Sequence, residues 1–227
     1  MYLLNSHELS FPDPRECDDE GLVAIGGDLS PERLLFAYSI SLFPWYNKDE
    51  PILWWSPNPR FVLFPQEIKI SKSMRPYFNQ QKFKVTFDTC FERIMHECGS
   101  KFRANQEGTW ITSDIINAYT NLHQLGYAHS VEVWDLEGAL VGGLYGLSLG
   151  KVFFGESMFA HIPNASKFGF ITLVKKLEAI GFELIDCQQE TRHLGSLGAR
   201  PIERHVFMEM IEKLVREETI MGAWENL

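Results

Sequence analysis

Three strand-like runs, His129 to Leu136, Leu140 to Ser148 and Lys151 to Phe159, are separated only by the short turns Glu137-Gly138 and Leu149-Gly150. Connections this short cannot hold a crossover, so successive runs must pair antiparallel as a meander. A helix follows from about Asn164 to Ile180, with Phe168, Ile171, Val174 and Leu177 at helical spacing. Gly181 stops it before another strand, Phe182 to Cys187.

Three antiparallel strands, a helix and a strand that returns to the sheet is the order found in acyl-CoA N-acyltransferase folds, a likeness of fold that proves no activity. Around it, Phe83, Val85 and Phe87 alternate as a strand, and a helix spans about Thr89 to Cys98. A second helix runs from a Thr112 or Ser113 cap to Gly126, with Ile115, Ile116, Tyr119 and Leu122 inside, and a last helix spans Glu203 to Val215. Upstream, Ser30 caps a short helix that starts at Pro31, carries Leu34, Leu35 and Tyr38, and ends near Phe43-Pro44. The prolines of Pro51 to Arg60 argue against helix interior and central strand there. The expectation is an α+β chain with a small N-terminal domain, 1–62. A larger domain, 63–227, would be acyl-CoA N-acyltransferase-like, its mainly antiparallel sheet flanked by helices.

A chain of 227 residues with 45% hydrophobic content can bury a core without staples. Met1 to Ser10 holds no basic segment leading into an apolar one, and no stretch approaches the roughly 20 apolar residues that cross a bilayer. Cys17, Cys90, Cys98 and Cys187 fall at unrelated spacings, as reduced thiols of a cytoplasmic protein would. The histidines form no metal-binding pair, and neither a metal nor another cofactor is expected. A net charge of -9 excludes a protein that coats nucleic acid with its whole surface. From Glu67 to Arg103, however, Lys69, Lys72, Arg75, Lys82, Lys84, Arg93, Lys101 and Arg103 outnumber Glu67, Asp88, Glu92 and Glu97. Such a stretch is either a bounded polyanion contact or an ordinary solvated face.

Gly155-Glu156-Ser157 lies in one strand and Asp186-Cys187-Gln188 ends another. If the two are neighbours, two carboxylates and an amide face one cleft. The carboxylates could hold a cationic amine and the amide could donate to a developing oxyanion, as acyl transfer requires. Alternatively, Glu156 and Asp186 pair with Lys, Arg or backbone groups at strand ends. Trp45 and Trp110 lie in loops, where tryptophans stack on nucleobases or sit beside the core. Trp54 and Trp55 read as packing between the two domains. Gly142, Gly143 and Gly146 lie within a strand and suggest a bulge or close packing rather than a phosphate loop. Cys187 has an acidic neighbour, Asp186, that disfavours its thiolate.

Seven segments together resemble the leucyl/phenylalanyl-tRNA-protein transferases: Gly21 to Ser30, Phe43-Pro44-Trp45, Leu53 to Arg60, Gly108 to Ile111, Leu140 to Gly146, Gly155 to Phe159 and Leu184 to Gln188. The resemblance runs in order from about Phe11 to Ala199. It implies a bacterial enzyme that moves Leu or Phe, and less readily Met, from aminoacyl-tRNA to proteins beginning with Arg or Lys, which are then degraded. It places Asp186 and Gln188 at the reaction centre with Glu156 close by, and Trp45 and Trp110 beside the terminal adenosine. Leu144, Phe153, Gly155, Ser157, Met158, Leu173, Leu177 and Ile185 would complete the substrate pocket. Lys69, Lys72, Arg75, Lys82 and Lys84 would hold the acceptor stem. Where this chain has Leu144 the family has Met, and where it has Leu173 and Leu177 the family has Phe. The pocket stays apolar but changes shape, and relatively efficient Phe transfer is expected.

An aminoacyl ester is already activated, and an α-amine of pKa about 7.7 to 8.0 is roughly a tenth neutral at pH 7, so no strong base is needed. Asp186, with Glu156, would orient the cationic N-terminus while Gln188 positions the amine and supports the tetrahedral intermediate. Two other functions fit the same fold class. A CoA-dependent N-acetyltransferase would want glycines in the turn that here reads His161-Ile162-Pro163-Asn164-Ala165-Ser166. A non-catalytic module would bind the tRNA end without turnover.

Overall fold

The structure, a computed structural model, describes residues 2–5, 8–100 and 109–226. Lys101, Arg103 and Gly108 of the sequence reading lie outside them. The chain begins with β1 (Tyr2–Leu4), β2 (Leu22–Gly26), α1 (Pro31–Ser39), β3 (Phe43–Pro44) and β4 (Leu53–Trp55). These strands form a four-stranded sheet in the order β1-β2-β4-β3. β5 (Arg60–Leu63) then enters the larger sheet, followed by α2 (Arg75–Asn79), β6 (Lys84–Phe87), α3 (Phe91–Ser100) and α4 (Ser113–Gln124). The meander is β7 (Ala128–Trp134), β8 (Leu140–Leu149) and β9 (Val152–Ala160). After it come α5 (Ala165–Ala179), β10 (Leu184–Asp186), α6 (Arg192–Ser196), β11 (Arg200–Ile202) and α7 (Arg204–Leu214). The seven strands of the larger sheet lie in the order β11-β5-β10-β9-β8-β7-β6, and only β9 and β10 pair parallel.

The fold is thus the expected α+β order, a mainly antiparallel sheet flanked by helices. Its sheet is covered on both faces because inward residues alternate along each strand. Tyr145 and Leu147 of β8 and Phe154 of β9 face the core built with α1, α3, α4 and α7. Leu144 and Phe153 face the opposite core, built on α5. Gly143 and Gly146 permit this close packing. A Cβ at the first would lie 2.6 Å from Ile94 Cδ1, and at the second 2.3 Å from the Phe154 oxygen. Ser30 and Thr112 cap α1 and α4, each hydroxyl oxygen accepting from the amide three residues on, worth about 1 kcal/mol apiece.

One expectation is corrected. Leu53–Trp55 is a strand, and an interior one, because Pro51, Pro57 and Pro59 flank it and leave its own amides free to pair. Trp54 is fully buried in a core cluster that also holds Tyr119 and Phe154, and Trp55 packs against that core. Trp54 Nε1 donates to the Gly26 oxygen at 2.9 Å and its ring meets Phe11, while Trp55 Nε1 donates to the Trp45 oxygen at 2.7 Å.

Candidate active site

The cleft arises where β9 and β10 part. Their parallel pairing stops at Asp186 opposite Phe154, while β9 runs on to Ala160. On its other edge β9 slips register against β8: Gly155 faces Gly146 and Ser157 faces Tyr145, which leaves Glu156 as an extra residue without a strand partner. Such a bulge turns a side chain out of the normal alternation. Glu156 consequently points into the cleft. β10 ends as abruptly, because Gln188 sits in the left-handed region at φ 60°.

Asp186 is fully buried, and its carboxylate is gripped by the equally buried Arg60 of β5. Arg60 Nε donates to Oδ1 at 2.8 Å and Nη2 to Oδ2 at 2.6 Å. The Gln188 backbone N–H also donates to Oδ1, at 2.9 Å. The Arg60 guanidinium lies 4.7 Å from the ring centres of both Phe43 and Phe207. Asp186 is therefore the ion-paired carboxylate of the two alternatives, and its side chain organises the end of β10.

Glu156 is the carboxylate that reaches the cavity. Its Oε1 accepts from Gln188 Nε2 at 2.9 Å and from the Tyr38 hydroxyl at 2.6 Å, and its Oε2 accepts from Tyr119 at 3.4 Å. The two tyrosine hydroxyls also hydrogen-bond each other. Burial raises the Glu156 pKa to about 7. The Asp186 charge pushes the same way, against the Tyr38 and Tyr119 hydrogen bonds and the Arg60 charge. Burial, and then the Glu156 charge, holds both tyrosines well above the phenol range, so they remain hydrogen donors. Glu156 can thus exchange a proton near neutral pH.

Glu156 and Gln188 line a cavity of about 460 Å³, with Tyr38 and Tyr119 behind Glu156 rather than in its wall. Trp45 and Trp110 stand in its wall, together with Leu144, Gly155, Ser157, Met158, Ile185, Asp186 and Gln188. Trp45 is set by its amide, which donates to the Leu53 oxygen at 2.9 Å, and by its ring contact with Trp55. Phe153, Leu173 and Leu177 do not reach the wall; they are fully buried in the α5 core behind it. Phe170 and Leu194 take the apolar positions at the surface of the cavity. Cys187 also borders it, but burial, and then the Asp186 charge, pushes its thiol upward, leaving a poor nucleophile.

Lys69, Lys72, Arg75, Lys82 and Lys84 are all exposed. Asp88, one of the acids counted against them, is buried and takes hydrogen bonds from His129 and the Trp224 amide. Helix α5 adds Lys175, whose Nζ lies 5.3 Å from the Phe78 ring of α2, and Lys176, 4.5 Å from the Phe87 ring of β6. The turn after β9 holds no glycine, and Glu97 brings a carboxylate to it, 2.9 Å from His161 Nε2. Among the described residues no helix is long and apolar enough to cross a membrane.

Sequence reasoning does not assign Arg60, Tyr38, Tyr119 or Phe170 to the site. Arg60 closes a matched segment without a role, and a buried Arg is seldom unpaired, which is the available signal. The tyrosines read as inner-face residues of two helices, which they also are.

A family model described as Leucyl/phenylalanyl-tRNA protein transferase matches residues 62–212, and one for that family's N-terminal domain matches 27–58. Curated proteins named leucyl/phenylalanyl-tRNA–protein transferase align over nearly the whole chain. The protein from Christiangramia forsetii is 56% identical over 93% of this chain and 100% of its own length. That from Maridesulfovibrio salexigens is 50% identical over 95% and 90%, and that from Myxococcus xanthus 48% over 99% and 96%. Among solved structures, L-PGS from Bacillus licheniformis superposes with a TM-score of 0.44 at 9% identity, covering 71% of this chain and 66% of that one; nothing rests on so low a score. With both family models in chain order and relatives this similar end to end, the chain belongs to the leucyl/phenylalanyl-tRNA–protein transferase family of aminoacyltransferases.

Proposed function

We propose that this chain acts in the cytoplasm. It moves Leu and Phe, and less readily Met, from aminoacyl-tRNA to the α-amine of proteins beginning with Arg or Lys and so marks them for degradation. The N-terminal part supplies Trp45, and the larger sheet, entered at β5, supplies the reacting groups. The observation that carries this reading is one cavity in which Glu156 and Gln188, joined at 2.9 Å, face the same space as Trp45 and Trp110. The tryptophans flank the terminal adenosine, and Leu144, Met158, Phe170 and Ile185 receive the apolar side chain. Lys69, Lys72, Arg75, Lys82 and Lys84, with Lys175 and Lys176, take the acceptor stem.

Because Asp186 is held by Arg60, binding the cationic amine falls to Glu156. One Gln188 N–H is engaged by Glu156, leaving its carbonyl oxygen for the amine and its second N–H for the tetrahedral oxyanion. Glu156 takes one proton from the bound ammonium and passes it to solvent, and the neutral amine nitrogen then attacks the ester carbonyl to form the C–N bond. The bond to the ribose oxygen then breaks, and the proton released by the amine reaches that oxygen through Glu156. Peptides that differ only in their first residue test the acceptor. Those beginning with Arg or Lys become labelled from charged tRNA, those beginning with Glu do not, and labelling of an amine-blocked Arg peptide contradicts the reading.

A further inference from the structure

Gln188 can serve the amine only if its amide is held towards Glu156, yet its own backbone lies in the left-handed region at φ 60°. A non-glycine residue there is uncommon and persists where neighbouring groups fix it. The fixing group is the Asp186 carboxylate, which accepts the Gln188 N–H at 2.9 Å. Asp186 is in turn fixed by both prongs of Arg60. Arg60 cannot swing away, because its guanidinium is caught between Phe43 of β3 and Phe207 of α7, with both ring centres at 4.7 Å. The remaining Nη1 makes no hydrogen bond among the described residues, so the charge is answered by Asp186 and two aromatic faces.

We propose that Arg60 is a positioning residue for aminoacyl transfer: through Asp186 it holds Gln188 against Glu156 and so aligns the acceptor amine. This rests on the proposed function. Lysine could supply the charge but not the two-pronged grip, so Arg is required rather than any cation. The pair also bears on the carboxylate beside it. Glu156 is faced by Tyr38 from α1, Tyr119 from α4, Gln188 and Asp186 from the β10 end and Arg60 from β5. Of the two members of the pair, Asp186 raises its pKa and Arg60 lowers it. Removing one member should therefore move the Glu156 titration in the direction opposite to removing the other.

The test uses the full chain, with Asp186→Asn, Arg60→Lys and Arg60→Met, and the double replacement Arg60→Met with Asp186→Leu in case the single Arg60→Met variant does not fold. Steady-state transfer gives kcat and the KM for each substrate, while carbon NMR of the Glu156 carboxyl, identified by its disappearance in Glu156→Gln, gives a titration independent of activity. We expect Asp186→Asn to lower the Glu156 midpoint, Arg60→Met to raise it, and the double variant to lie between them. Arg60→Lys should lower kcat about tenfold or more with the KM for charged tRNA changed by less than about twofold, as expected for impaired alignment rather than impaired binding. Unopposed midpoints, together with losses that only follow thermal stability, would reduce Arg60 to a core ion pair. If the wild type transfers nothing but the midpoints diverge, the positioning arrangement stands and the functional reading falls.

Discussion

Tyr38, on the helix of the N-terminal part, donates a 2.6 Å hydrogen bond to Glu156 in the larger sheet, across 118 residues of sequence. The carboxylate proposed to receive the amine is thus tuned by both parts of the chain.

Tyr38→Phe removes a hydrogen bond that favours ionised Glu156, so the carboxyl pKa must rise above its value of about 7. Transfer at pH 7 should fall and recover as pH is raised, with the alkaline plateau nearly unchanged. At about 1 kcal/mol for the bond, the loss at pH 7 is several-fold. The pH dependence of single-turnover rates checks this.

Gln188→Ala should lower turnover far more than affinity for charged tRNA, because its amide is proposed to meet the reacting amine rather than the nucleic acid. Transfer kinetics beside equilibrium tRNA binding separate the two. Equal losses in both would remove Gln188 from this role.

Much of the scaffold was legible and much of the site was not. Tight turns at Gly138 and Gly150 announced the meander, since a Cβ at Gly150 would lie 2.0 Å from the Leu214 oxygen at a φ of 57°. Glycine is what such a position calls for, and it shows in the sequence. The bulge that exposes Glu156 left no such mark, because register is set by pairing between strands. Arg60 and Asp186 are 126 residues apart, and no local pattern joins them. Phe170 was obscured because α5 is buried on most sides, so periodicity could not tell the face towards the cavity from the face towards the core. The convergence of Trp45 and Trp110 was indicated by family resemblance alone.

Phe170 faces the cavity whereas Leu173 lies behind it, so the two should affect the transferred residue differently. Phe170→Leu should deepen the pocket and raise the Phe-to-Leu transfer ratio several-fold, since small volume changes there are worth about 1 to 3 kcal/mol. Leu173→Phe should lower that ratio and also overpack the core, at about 1 to 3 kcal/mol of stability. Competitive transfer with both charged tRNAs, beside thermal melts, checks both outcomes.

Neutralising Lys69, Lys72 and Arg75 together should flatten the salt dependence of tRNA binding. For every phosphate that these side chains no longer neutralise, the slope of log K against log salt shrinks by about 0.7 to 0.9. Adding Lys175→Gln and Lys176→Gln should flatten it further. An unchanged slope would return the face to ordinary solvation.

The most direct test of the central claim is transfer of labelled Leu and Phe from charged tRNA to a peptide beginning with Arg, beside the same peptide blocked at its amine and a parallel reaction with labelled acetyl-CoA. Label only on the free-amine peptide, and only from tRNA, is the expected result. Label from acetyl-CoA, or tight tRNA binding without transfer, would contradict it.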